Sequence, residues 1–216
     1  MEGVGRVAAG ELANAFCFIG AGGHHAGRDF FGGYCCYNDV VIAIRQARRT
    51  GTLRRVAILD TDAHHGDGTR DLVGDDPEVL HLCICGGDYT SPDGTKLDRA
   101  APDPWAIDMS ADRAYLELVQ EVFPPRATAF RPDLLIWYFG FDTHQGDYGD
   151  LGLTSEAFRG IADLMIEVAG QSCGGRLVVV LGGGSRTDLA TALIPPVIAR
   201  LAGVAISGEN SPPQRP

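Results

Sequence analysis

No run of about 18 apolar residues, the length a helix needs to cross a bilayer, occurs anywhere in the 216 residues. The opening Met1-Glu2-Gly3-Val4-Gly5-Arg6 also lacks the basic-then-apolar order of a secretory signal. The first absence excludes a membrane-spanning helix, and together they lead us to expect a cytoplasmic protein. Positive charge is scarce, with 18 Lys and Arg against 28 Asp and Glu and a net charge of −10, so no basic face awaits nucleic acid. The cysteines Cys17, Cys35, Cys36, Cys83, Cys85 and Cys173 show no regular disulfide spacing and sit in apolar segments, which reads as reduced, buried thiols. There is no internal repeat, no low-complexity tract and no strand–GxGxxG–helix fingerprint for a dinucleotide. What remains is an ordinary globular mix, 45% apolar and 21% charged, long enough for one sizeable core.

Five runs read as buried strands because they are apolar, rich in β-branched or aromatic residues, and end at Gly, Asp or His: 15–19, 56–59, 79–84, 134–139 and 177–181. Helical patterns fall between them at 38–49, 111–123, 155–169 and 188–201, the third opened by Thr154 as an N-cap ahead of Glu156. Strand alternating with helix predicts an α/β fold, a three-layer parallel sheet with helices on both faces. The Gly-, Pro- and Asp-rich stretch 86–104 reads as a long surface loop. Residues 1–206 read as one domain and 207–216 as a flexible tail.

In open parallel sheets, ligands bind beyond the carboxyl ends of the strands. Four of the five predicted strand ends carry polar or Gly-rich loops that would meet on one rim: Gly22-Gly23-His24-His25, Asp60 to Asp67, Gly140 to His144, and Gly182 to Arg186. If the extended backbone persists past the second strand, Asp60, Asp62 and His64 point the same way. Adding Asp142 gives Asp62, His64 and Asp142, three protein ligands with a position left open, which is the arrangement of a catalytic zinc or a related divalent metal. The adjacent imidazoles His24 and His25 suit general acid–base work near a metal-bound water, with Asp60 and Asp67 available as carboxylate partners. Gly182 to Gly184 permit close backbone approach to a ligand. Cys35 stands where it could line the site, whereas Cys36 reads as packing. Cys83 and Cys85 share one face of a strand, but the sequence supplies no second Cys or His pair to complete a structural zinc site.

The series Gly23-His24-His25-Ala26, Gly33-Tyr34-Cys35-Cys36-Tyr37-Asn38-Asp39, Asp60-Thr61-Asp62-Ala63-His64-His65-Gly66-Asp67-Gly68-Thr69, Gly140-Phe141-Asp142-Thr143-His144 and Leu181-Gly182-Gly183-Gly184 resembles the zinc-dependent histone deacetylase superfamily, with its acetoin-utilisation-type and acetylpolyamine amidohydrolase relatives. The resemblance runs in family order from about residue 13 to 203 and implies an arginase/deacetylase-like fold. It implies one catalytic zinc on Asp62, His64 and Asp142. It makes His25 the general base, assisted by Asp67, and His24, paired with Asp60, a stabiliser of the tetrahedral intermediate. It implies a structural potassium near Asp60, Asp62 and His64, with a looser match at the strand around Cys83-Ile84. Gly33 and Tyr34 resemble the wall of an acyl-lysine tunnel, and the implied substrate is an acyl-lysine or another acylated amine.

Two departures accompany the resemblance. The family's domain normally begins well before the strand that ends in Gly-His-His, so a sheet edge is expected to be absent on the N-terminal side, leaving apolar surface that favours self-association. The family's tyrosine after the glycine run, which hydrogen-bonds the substrate carbonyl, is Arg186 here. Arg186 is therefore a candidate catalytic donor, or else it turns aside to an acid such as Asp188. Two rival readings exist. A dimanganese ureohydrolase needs further bridging acids, yet Gly66 and His144 stand where they would fall. A catalytically impaired acyl-binding relative would keep the metal without the turnover.

Overall fold

The computed structural model describes residues 1–19, 22–103 and 109–205. Seven strands form one sheet: β1 (Asn14–Cys17), β2 (Val56–Asp60), β3 (Val79–Cys85), β4 (Tyr89–Thr90), β5 (Lys96–Ala100), β6 (Leu134–Phe139) and β7 (Leu177–Leu181). Their order is β1-β7-β6-β2-β3-β5-β4, parallel throughout except for the short antiparallel pairing of β4 with β5. The helices are α1 (Glu2–Ala8), α2 (Asp39–Arg49), α3 (Asp67–Val73), α4 (Ala111–Phe130), α5 (Ser155–Cys173) and α6 (Thr187–Ala202).

Strand alternation sorts the core into two layers. Ala57 and Leu59 of β2 with Leu135, Trp137 and Phe139 of β6 face α4, α5 and α6. Val56 and Ile58 with Leu134, Ile136 and Tyr138 face α1, α2 and α3. Both sides of the central strands are thus buried, as a parallel sheet requires, which is why β6 and β2 as far as Leu59 carry no charged residue. Asn38 caps α2 by accepting from the Val41 amide, Ser110 caps α4 and Thr154 caps α5.

The structure corrects the sequence reading in four places. The expected surface loop 86–104 contains β4 and β5, and β5 is a parallel neighbour of β3 whose Lys96, Leu97 and Asp98 are buried. Charge hid this strand: Lys96 Nζ donates to the Asp76 and Val79 carbonyls at 2.9 and 2.7 Å, and Asp98 pairs with Arg70 at 2.7 Å, so burial leaves neither unpaired. Helix α4 runs through Pro124 and Pro125 to Phe130 rather than stopping at 123, because Val122, Phe123 and Ala127 keep one buried apolar face across the prolines. The first strand is Asn14–Cys17 rather than 15–19. Helices α1 and α3, each of 7 residues, are too short to show a period in the sequence. The expected tail 207–216 lies outside the described residues.

Candidate active site

Strand β2 ends at Asp60, so the extended alternation expected for Asp60, Asp62 and His64 does not persist. Two nested carboxylate turns bring the side chains together instead. Asp60 Oδ1 accepts from the Asp62 amide at 3.1 Å, and Asp62 Oδ1 accepts from the His64 amide at 3.0 Å. The loop after β6 delivers Asp142, whose carboxylate accepts from the Ala63 amide at 3.3 Å. The loop after β7 delivers the Gly183 amide, which donates to Asp62 Oδ2 at 2.9 Å. A Cβ on Gly183 would collide with the Asp62 carboxylate and lie 2.7 Å from the Tyr148 hydroxyl, so only glycine fits there.

His64 Nδ1 lies 2.9 Å from Asp62 Oδ1 and 3.0 Å from Asp142 Oδ2. Asp62 and Asp142 are buried, while the His64 side chain is 44% exposed, so the cluster is closed behind and open toward solvent. Burial, with the Asp62 charge beside it, pushes the Asp142 carboxyl up to about 8. A tetrahedral ion with bonds of about 2 Å has ligand edges of just over 3 Å, close to the separations of these two acids and the imidazole. The residues therefore fit one divalent ion.

The two histidines stand on this cluster with separate carboxylates. His24 Nδ1 meets Asp60 Oδ2 at 3.0 Å, and its Nε2 lies 3.6 Å from Asp62 Oδ1. His25 Nδ1 meets Asp67 Oδ1 at 2.6 Å. Tyr138, at the end of β6, accepts from the Gly23 and His24 amides at 2.8 and 3.3 Å and stacks on the His24 ring at a centroid separation of 4.8 Å. The core thus fixes the His24-His25 dipeptide from behind. Burial works to lower the His24 pKa, but the charge and hydrogen bond of Asp60, reinforced by Asp62 and Asp142, raise it to about 9. Burial likewise works against the Asp60 charge, and His24 and His81 overcome it, holding the carboxyl well below the usual range.

These groups open on a cavity of ≈ 670 Å³ whose lining includes Gly33, Tyr34, Cys35, Gly183, Gly184 and Arg186. Asp60 and Asp67 lie behind the histidines they hold. Gly33 (φ 52°) and Tyr34 (φ 66°) are both in the left-handed region, and a Cβ on Gly33 would lie 2.9 Å from His25 Nε2. Tyr34 accepts that strain with its side chain 94% exposed at the rim, a combination found at ligand-handling turns. Arg186 turns aside: its Nη2 pairs with Asp188 at 2.5 Å, and Nη1 donates to the Gly146 carbonyl at 3.3 Å. His144 takes no part in the cluster; its Nδ1 meets the Gln145 carbonyl and its ring stacks on Phe158.

Tyr148 escaped the sequence reading. Its hydroxyl accepts from the Gly184 amide at 3.1 Å and its ring stacks on His64 at 5.4 Å. Burial raises its pKa and the neighbouring acids add to that, so the phenol keeps its proton. The available signal was an aromatic residue in the Gly-Asp-Tyr-Gly-Asp turn just after Asp142.

A three-layer α/β sheet with an oxygen–nitrogen metal set and two carboxylate-buttressed histidines at its strand ends defines an α/β protein with a candidate metal centre. Residues 1–200 match the histone deacetylase domain. The chain is 31% identical over 205 residues to Histone deacetylase 15 of Arabidopsis thaliana, covering 90% of this chain and 36% of that protein. It is 31% identical over 218 residues to a probable deacetylase of Archaeoglobus fulgidus, covering 94% and 58%. Its structure matches the crystal structure of the HDA15 HD domain with a TM-score of 0.78 at 29% identity, over 94% of this chain and 61% of that one. The chain belongs to the histone deacetylase family, and it spans less than two thirds of the length of these relatives.

Proposed function

We propose that this chain is a metal-dependent amidohydrolase that removes an acyl group, acetyl by preference, from a lysine side chain, a polyamine or a similar amine. The observation that carries the reading is that His25, held by Asp67, and Asp62 and His64, beside Asp142, line one cavity, with His25 and His64 ring centroids 6.1 Å apart. Asp62, His64 and Asp142 would hold the ion, zinc by its donor set, which when bound lowers the pKa of water toward about 7 and polarises the amide carbonyl. His25 takes the proton from the attacking water, and Asp67 on Nδ1 keeps Nε2 free to receive it. The same imidazole then returns the proton to the leaving amine nitrogen as the C–N bond breaks. His24, held charged by Asp60, stabilises negative charge developing on the substrate oxygen. With Arg186 turned to Asp188, Tyr148 is the hydroxyl placed to donate to that oxygen, since the Gly184 amide occupies its lone pair and not its proton. Asp60, Asp62 and His64 supply oxygen donors of the kind that hold a structural potassium, and His64's carbonyl lies 3.7 Å from Cys83 Sγ.

The test is turnover of acetyl-lysine peptides and acetylated polyamines by metal-loaded protein, with and without chelator, alongside elemental analysis of Asp142→Ala. We expect hydrolysis that chelator abolishes and loss of one ion per chain in the variant. Metal binding without turnover of any of these substrates would instead support the acyl-binding reading.

A further inference from the structure

A second group of metal-ligand type lies on the far side of the turn that carries the first. Alternation along β3 points Cys83 and Cys85 to one face, where they are 0% and 4% exposed. Strand β5 runs beside β3 with Asp98 opposite Cys83. The turn after β2 sends His64 and His65 in different directions, His64 to Asp62 and Asp142 and His65 to this second group. His65 Nδ1 lies 3.5 Å from Cys85 Sγ and 3.5 Å from Asp98 Oδ1. The donor atoms of His65, Cys83, Cys85 and Asp98 all lie within 4.8 Å of one another.

We propose that these four residues bind a second ion, a divalent transition metal of the zinc type, distinct from the one at Asp62, His64 and Asp142. A tetrahedral ion with bonds of about 2.3 Å to sulfur and about 2.0 Å to nitrogen or oxygen has ligand edges of about 3.3–3.8 Å, and the two measured edges at His65 fall in that interval. Two sulfurs, an imidazole and a carboxylate suit zinc and disfavour magnesium or calcium, which require oxygen. Two thiolates and a carboxylate outnumber the ion's charge by one, and Arg70 supplies the balance: its Nη2 donates to Asp98 Oδ1 at 2.7 Å while Nη1 reaches Asp98 Oδ2 at 3.4 Å. The His65 side chain is 42% exposed and gives the ion a way in. The sequence hid the site because Cys83-x-Cys85 finds its second pair in His65 and Asp98, on two other elements. Bound there, the ion ties β3, β5 and the turn after β2 into one unit.

Titrating chelator-stripped protein with Co²⁺ alone tests this, because only a sulfur-ligated ion gives a thiolate-to-cobalt charge-transfer band and the Asp62, His64, Asp142 cluster contains no sulfur. We expect two equivalents per chain in the unaltered protein, one of which produces the band. Cys85→Ala should lose the band and one equivalent, and Asp142→Ala should keep the band while losing the other. His65→Ala, at a half-exposed position that folding tolerates, should weaken the band-forming equivalent by about 10–100-fold or more. Absence of the band at saturation in the unaltered protein, or its survival at full affinity in His65→Ala, would overturn the proposal. Neither result bears on the hydrolytic reading.

Discussion

His24 and His25 are neighbours in sequence, each with an aspartate on Nδ1, yet their surroundings differ. The His24 and Asp60 side chains are 3% and 1% exposed, while those of His25 and Asp67 are 19% and 51% exposed. The buried pair is also boxed in by Tyr138, Asp62 and His81. Its charges have no water to fall back on, so each partner holds the other in the ionised form. In the outer pair His25 borders the cavity and Asp67 is half exposed, so water reaches both. The difference teaches that one side-chain pairing offers a fixed charge where water is shut out, and under the hydrolytic reading proposed above a group for moving a proton where it is not.

That contrast can be broken from either side. The largest effect is expected from His25→Ala, which should lower kcat by about 10²–10⁴ with metal content and melting temperature unchanged. Steady-state kinetics with elemental analysis would check it, and an equal loss of bound metal would count against a proton-transfer role. Asp60→Asn should instead strike stability, because it strands a buried charged imidazole; about 3–5 kcal/mol lost in urea unfolding is the expected outcome. Tyr148→Phe follows, with kcat falling by about 10²–10³ if its hydroxyl meets the developing oxyanion. Arg186→Ala, measured beside it on the same substrate, should change the rate far less.

Asp147 gives a smaller effect with a defined pH dependence. Burial works against its charge, but amides of Tyr148, Ser185 and Arg186 and the Ser185 hydroxyl donate to it and lower its pKa. A depressed carboxyl pKa means that the unfolded chain binds the proton more readily. The contribution is therefore complete above the ordinary aspartate range and disappears as pH falls through the folded value. Asp147→Ala should cost about 1.5–3 kcal/mol near neutrality and progressively less in acid, read from unfolding curves across that range. The smallest effect closes the comparison. Asp67→Asn should leave stability within about 1 kcal/mol, since its carboxylate is half exposed, while still slowing turnover through His25.

Where residues act through their own periodicity, the sequence was readable. The all-apolar runs of β2, β6 and β7 announced strands buried on both sides, and the polar loops at their carboxyl ends announced the rim. The grouping of Asp62, His64 and Asp142 was legible because strand ends restrict where loop side chains can meet. What escaped depended on partners distant in sequence. Strand β5 reads as loop until Arg70 and the Asp76 and Val79 carbonyls are seen to satisfy its charges. The turns after Asp60 replaced the extended backbone because each aspartate found an amide two residues on. Tyr148 gained its place only from the fold of the loop around it.

Tyr138 carries a consequence for how the chain tolerates change. Its hydroxyl holds the Gly23 and His24 amides, and its backbone continues β6 beyond Leu134 and Ile136, which face the same layer. A shift in that layer is therefore delivered to the His24-His25 dipeptide as a change of aim. In a saturation mutagenesis map scored by turnover, positions 134 and 136 should rank with the rim of the cavity, although a map scored by abundance would class them as ordinary interior positions. The gap between the two maps would measure how much of the aim of the His24-His25 dipeptide is inherited from the interior.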